Sequence, residues 1–216
     1  QVELTLMREG HIEVARSYIL YREEHRKARE AKLAQLNALH GNSSPINVTL
    51  ENGEKVPLNL QNLEIIVTEA CANLENVNPQ PIIKDTLKNL FDGVNILDVR
   101  KALIMTARTF IETEPNYSLV ASRLLLNDVR IEVAKTLGLP IINTQQELAD
   151  HYAHIFKAGI EYGVKVNRLN VHLKSFDLQK LGAAIDASRD FNFTYLGLQT
   201  LYDRYFLHEN NARYEL

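Results

Sequence analysis

A pair of histidines is the first candidate for chemistry in this sequence. His151 and His154 stand three residues apart, and Asp150 and Glu161 lie in the same predicted helix. Residues three or four apart meet on one helix face, and imidazole and carboxylate groups are common metal ligands. The sequence has no HExxH motif and no second Glu-x-x-His segment to complete a site. We therefore expect exposed or core-edge histidines and no metal site.

A second polar group is formed by Asp186, Arg189 and Asp190, which fall in a predicted turn between helices. Carboxylates at such positions most often cap a helix or form a local ion pair, and we interpret them so. The glycine-rich phosphate-binding motifs GxGxxG and GxxxxGK[ST] are both absent. Spacing alone therefore predicts no catalytic residue.

The composition limits the classes of function. The 216 residues carry a net charge of −3, whereas general nucleic-acid binders have a strong basic excess. No apolar run reaches the ~18 residues of a membrane span. Cys71 is the single cysteine, which excludes an intrachain disulfide and predicts a small buried side chain. We expect a cytoplasmic protein that contacts neither nucleic acid nor membrane.

Hydrophobic patterning predicts a mainly α-helical chain with one β-hairpin. Apolar-alternating runs at 46–50 and 55–60 flank Asn52-Gly53, the dipeptide typical of a type I′ turn. Apolar residues at helical spacing then predict helices over Leu63–Leu74, Ile83–Phe91, Val99–Phe110, Leu126–Leu137 and from Glu147 to about Tyr162. Two or three short helices are predicted to follow, the last from Thr194 to about Phe206. Residues 1–40 also have a helical pattern, and 41–45 look like a linker.

Three stretches, in this order, resemble the large (α) subunit of class I ribonucleotide reductase. Val2–Arg29 is similar to the last helix of an ATP-cone, and Ile46–Gly138 to a whole cone. Glu147–Leu216 is similar to the first helices of the catalytic domain. The landmarks are Val48-Thr49, Gly53, Asn59-Leu60, Asp92-Gly93, Asp98-Val99, Pro115 to Leu124, and Ser188 to Tyr195.

The resemblance implies a domain order and partners. Residues 1–40 would end a preceding ATP-cone, and 41–45 would be a linker. Residues 46–138 would form a degenerate ATP-cone, a β-hairpin capped by a four-helix bundle, and 147–216 would begin the catalytic domain. The implied partners are the radical-generating small (β) subunit, other large subunits and the preceding cone. ATP and dATP would be effectors of the parent enzyme, with no cofactor and no catalytic residue in this chain.

The same resemblance indicates that the phosphate site is altered. Cones of this family carry Val-x-Lys-Arg-Asp-Gly in the hairpin, and the Lys and Arg that reach the triphosphate fall on Leu50 and Glu51. Charge-assisted contacts are worth roughly 1.5–3 kcal/mol each, so two losses cost about 3–6 kcal/mol. We therefore expect a cone that keeps its fold, has lost its nucleotide and serves as a structural or oligomerisation element. The other vestigial site positions are Val56, Asn59, Asn62, Ile96 and, for a basic residue late in the last helix, Arg130 or its neighbour Ile131.

Two alternatives remain open at this point. One is a helical protein-interaction module unrelated to nucleotides. The other is the cone of a transcriptional repressor, although such proteins carry a zinc ribbon with two cysteine pairs and this chain has one cysteine.

Overall fold

A computed structural model describes residues 46–141 and 145–216, with the side chains of 145–150 left undescribed. The predicted helix in 1–40 and the linker 41–45 lie outside the described residues. The described part is mostly helical with short strands, as predicted. The elements are β1 (Asn47–Thr49), β2 (Lys55–Pro57), α1 (Leu60–Cys71), α2 (Pro79–Lys88), β3 (Val94–Asn95), α3 (Ile96–Thr109), α4 (Tyr117–Leu137), α5 (Gln145–Lys165), α6 (Leu178–Ala183), α7 (Tyr195–Arg204), β4 (His208–Glu209) and β5 (Ala212–Arg213).

The predicted hairpin is present, but its turn differs from the expected one. Val48 of β1 faces Val56 of β2, and the two strands run antiparallel. Gly53 has a φ of 84°, whereas Asn52 is not among the described residues with positive φ, so the type I′ prediction is wrong. The Gly53 amide donates to the Leu50 carbonyl at 2.9 Å. This is the longer hairpin loop in which a type I turn ends on a left-handed glycine.

A third strand, which the sequence did not predict, completes the small sheet. β3 pairs parallel to β1, so the order of the three described strands is β2-β1-β3. Asp92 fixes the junction, since its carboxylate accepts from the Asn47 amide at 2.8 Å and from the Asn47 side chain at 2.9 Å. The Gly93 amide also donates to the Asn47 carbonyl at 2.8 Å, so the Asp92-Gly93 pair, which directly follows the predicted helix Ile83–Phe91, joins the start of β3 to β1.

Helix starts are set by asparagine side chains. Asn59, Asn78 and Asn95 each accept a backbone N–H from the first turn of α1, α2 and α3, respectively. Such caps satisfy donors that have no partner within the helix. Each of these helices therefore begins three or four residues before the start that apolar spacing predicted.

Helix α4 is the central helix of the described structure. It begins at Tyr117, well before the predicted Leu126, and ends as predicted at Gly138, whose φ is 67°. The helix packs against α1, α3 and α7. Buried positions therefore surround most of it, and they are Tyr117, Val120, Ala121, Ser122, Leu124, Leu125, Leu126, Val129, Val133 and Ala134.

The last part of the chain folds over α4 and α5. Two short 3₁₀ helices, Val171–Ser175 and Ala187–Asn192, flank α6, and a β4–β5 hairpin follows α7. The sequence did not predict this hairpin. Tyr214, just after β5, is only 2% exposed. A Cβ at Gly159 of α5 would lie 2.8 Å from the Tyr214 carbonyl oxygen, so glycine permits the close approach.

A core substitution in α2 tests this packing. Ile82 is fully buried, and replacing it with alanine should lower the free energy of unfolding by about 2–5 kcal/mol, since lost contacts and a cavity both contribute. Ile65→Ala, at a 55% exposed position of α1, should change it by less than about 0.5 kcal/mol. Urea unfolding followed by circular dichroism measures both. Equal losses in the two variants would contradict the assigned burial.

Candidate functional site

Two cations and two carboxylates meet beneath the tip of the β1–β2 hairpin. The Glu51 carboxylate in the turn accepts a hydrogen bond from Lys135 of α4 and lies 3.3 Å from Nη2 of Arg100 on α3. Nη1 of Arg100 lies 2.7 Å from the Asp128 carboxylate of α4. We call Glu51, Arg100, Asp128 and Lys135 the tip cluster.

The charges of the tip cluster shape one another. The hydrogen bond from Lys135 lowers the pKa of Glu51, against a raising contribution from burial, and the positive charges of Lys135 and Arg100 lower it further. Burial raises the pKa of Asp128, and the Arg100 charge partly offsets that effect. Only 16% of the Arg100 side chain is exposed. Both cations therefore already face carboxylates from the chain itself.

The apolar residues at the positions predicted to be vestigial belong to the packing of the fold. Val56 and Ile96 pack against the hydrophobic core. Leu50, at the first position of the hairpin loop, is half-buried. These side chains offer an anion no hydrogen bond and no charge.

The two asparagines among the predicted site positions, Asn59 and Asn62, lie at the start of α1 and have different roles. The Asn59 side-chain oxygen accepts from the Asn62 amide at 2.9 Å, which makes Asn59 the N-cap. The Asn62 side chain is exposed on the first turn. Asn59 therefore contributes to helix stability whether or not a ligand is present.

Arg130 lies away from the hairpin. At 3.6 residues per turn, Asp128 and Lys135 are about 20° apart around α4, whereas Arg130 is about 160° from Asp128. Its guanidinium lies 3.7 Å from the Asp190 carboxylate and 5.8 Å from the Phe191 ring centroid. Arg130 is therefore not part of the hairpin site around Leu50 and Glu51, and it contacts Asp190 and Phe191 instead.

Sequence reasoning missed Arg100, Asp128 and Lys135. The spacing of Asp128 and Lys135, seven residues, would have placed them on one helix face. Nothing in the sequence indicated that the hairpin would lie over that face, because Glu51 and Lys135 are 84 residues apart.

The remaining polar residues that the sequence singled out, Asp186, Asp190 and Cys71, make contacts that stabilise the fold or are buried in it. Asp186 caps the second 3₁₀ helix, as predicted, by accepting from the Ser188 amide at 3.0 Å. The predicted local ion pair is not the one that Asp190 forms. Its carboxylate pairs instead with Arg130, which is distant in the sequence. Cys71 is buried as predicted, and burial raises the pKa of its thiol to about 11.

His151 and His154 are both exposed. Within the part of the chain that the structure describes, no three His, Cys, Asp or Glu side chains converge as metal ligands. In the same residues, no helix combines the length and apolarity that crossing a bilayer requires.

Comparison with known proteins identifies the first half of the described structure. Residues 46–132 match the ATP cone domain family. This range covers the sheet, α1 to α3 and most of α4, and the tip cluster lies within it except for Lys135.

Relatives extend the similarity to almost the whole chain. The ribonucleoside-diphosphate reductase subunit alpha of Chlamydia muridarum is 34% identical over 99% of this chain. The corresponding subunit of Chlamydia pneumoniae is 36% identical over 96% of the chain, and that of Helicobacter pylori is 34% identical over 77%. The chain spans about 20% of the length of each of these relatives.

The pH dependence of stability tests the tip cluster. A carboxylate with a lowered pKa stabilises the fold above its unfolded pKa of 4.5 and loses that contribution as the pH falls through its folded pKa. Wild type should be more stable than Glu51→Gln at pH 7, by less than about 1 kcal/mol because Glu51 is partly exposed. This difference should vanish as the pH falls from about 4.5 towards 3, as measured by urea unfolding.

The matched control is Glu54→Gln in the same hairpin loop. This substitution leaves the Glu51 contacts with Arg100 and Lys135 intact, so the acid-dependent loss should remain. A stability difference between wild type and Glu51→Gln that stays constant from pH 7 to 3 would contradict the assigned ion pairs.

Proposed function

Since residues 46–132 form an ATP cone domain and the chain belongs to the family of ribonucleoside-diphosphate reductase large subunits, we propose that its cone is a structural element that has lost its effector. The chain is then the N-terminal portion of a reductase large subunit, and its cone occupies the position of an ATP- and dATP-binding regulatory module. The cone keeps the fold of such a module and contributes to assembly without binding nucleotide.

The observation that carries this proposal is the occupation of the cluster's cations by Glu51. A triphosphate needs unpaired positive charge, and Arg100 and Lys135 both already contact the Glu51 carboxylate. An incoming phosphate would have to displace this carboxylate, which is attached to the hairpin and so has a high effective concentration. Leu50 adds no charge where the family carries its lysine.

The parent enzyme is proposed to reduce ribonucleotides to deoxyribonucleotides together with a radical-generating small subunit. This chain then supplies surface and scaffold, and the reacting groups belong to other parts of the parent. Similarity to large subunits over 99% of the chain favours this interpretation over a helical interaction module or a repressor cone.

Calorimetric titration of dATP and ATP into the chain tests the loss of the nucleotide. Wild type should give no binding heat up to millimolar nucleotide. The double variant Leu50→Lys with Glu51→Arg should gain about a hundred- to ten-thousand-fold in affinity, because two charge-assisted contacts of roughly 1.5–3 kcal/mol each return. Arg100 and Lys135 would also lose their internal partner.

The matched control carries the same change in net charge at a distance from the hairpin. Ile65→Lys with Glu112→Arg changes two exposed positions of the cone and should gain no affinity. Micromolar dATP binding by wild type would overturn the proposal, as would an equal gain of affinity in the control variant.

A second experiment addresses assembly. If the cone acts through its surface alone, the sedimentation coefficient of the chain should depend on protein concentration in the same way with and without 1 mM dATP (about a thousand times a micromolar Kd). Sedimentation velocity over a hundredfold range of concentration measures this. A dATP-induced shift to larger species would mean that the cone still responds to its effector.

A further inference from the structure

One aromatic side chain lies against two arginines of α4. The Phe191 ring centroid is 4.6 Å from the guanidinium carbon of Arg123 and 5.8 Å from that of Arg130. Arg123 and Arg130 are seven residues apart, so they project from the same face of α4. Phe191 belongs to the 3₁₀ helix Ala187–Asn192, which lies outside the matched cone. A guanidinium over an aromatic face is attractive, more so where water is excluded.

Arg123 connects this aromatic contact to the first helix of the cone. Its Nη1 donates to the Ala70 carbonyl at 3.1 Å and to the Ala72 carbonyl at 2.7 Å. These carbonyls are at the C-terminal end of α1, where they lack helical donors and carry the negative end of the helix dipole. A displacement of the Arg123 side chain would therefore be felt by α1.

Arg130 connects the same ring to α5. Its guanidinium lies 3.7 Å from the Asp190 carboxylate, which also accepts from the Tyr152 hydroxyl at 3.4 Å. Tyr152 is 6% exposed, and only 11% of the Arg130 side chain and 18% of the Asp190 side chain are exposed. Buried charges of this kind hold their positions because no water replaces a lost partner.

We propose that Phe191 is a positioning residue that couples the cone to the helices that follow it. The path runs from the end of α1 through Arg123, Phe191 and Arg130 with Asp190 to Tyr152 of α5. Other contacts, such as that of the Glu132 carboxylate with the Tyr202 hydroxyl at 2.9 Å, join α4 to α7. The contacts of Phe191 with Arg123 and Arg130 lead beyond α4, to α1 and to α5. A change in the cone therefore moves α5 through them.

This inference goes beyond the proposed function and does not depend on it. A cone that binds nucleotide and one that does not would both need a mechanical link to the rest of the chain. Physical contiguity alone is no proof of coupling, so the experiment must show that a change at one end alters the other.

Hydrogen–deuterium exchange of the 216-residue chain, followed by mass spectrometry of peptides, provides that test. Phe191→Ala should speed exchange by about tenfold, a loss of roughly 1.4 kcal/mol, in the last turn of α1 and in α5 around Tyr152. Phe191→Tyr, which keeps the ring, should restore wild-type rates. Phe193→Ala removes a phenyl ring two residues away that is 40% exposed, and it should leave both helices unchanged.

A second variant separates coupling from local packing and serves if Phe191→Ala is poorly folded. Arg123→Met keeps an apolar stem but loses the charge that α1 and Phe191 share. It should speed exchange in α5, although the described contacts of Arg123 with Ala70, Ala72 and Phe191 do not include α5. Faster exchange confined to α1 and the 3₁₀ helix in either variant, or the same change with Phe193→Ala, would overturn the proposal.

Discussion

The burial of α4 between helices of the cone and helices that follow it in the chain is the constraint on which the other contacts depend. Val120, Val129 and Val133 have no exposed surface, because α1, α3 and α7 all pack against α4. Polar residues on such a helix have few directions left. Asp128 and Lys135 belong to the tip cluster, while Arg123 and Arg130 both contact the ring of Phe191. The two polar faces of α4 therefore serve separate purposes.

The contacts around the β1–β2 hairpin hold the fold without a ligand. The sheet needs the alternation of Val48 with its neighbours, the left-handed Gly53 and the Asp92 bond to Asn47. None of these requires a ligand. Val56 and Ile96 pack against the core, and the Glu51 carboxylate supplies a negative charge to Arg100 and Lys135 from within the chain. The proposed loss of the nucleotide is thus compatible with retention of the fold.

The face towards Phe191 has the opposite character, since it joins parts of the chain. Arg123 ties the carbonyls at the end of α1 to an aromatic ring from another segment. Arg130, whose family counterpart is expected near an anion, instead meets Asp190 and the same ring. Arginine suits both roles, because its planar guanidinium can donate in the plane and stack over a ring.

The sequence by itself determined the features that depend on residues close together in the chain: the hairpin around Asn52-Gly53, the burial of Cys71 and the end of α4 at Gly138. The order of the family's motifs along the sequence also determined the family to which the chain belongs. Apolar periodicity and turn residues act within a few positions of the chain, so they can be identified without a structure. Only the tertiary structure decided the rest. Glu51 meets Arg100 and Lys135 across 49 and 84 residues, β3 pairs with β1 across a comparable separation, and the face of α4 that carries Arg130 is set by how the helix is rotated in its packing.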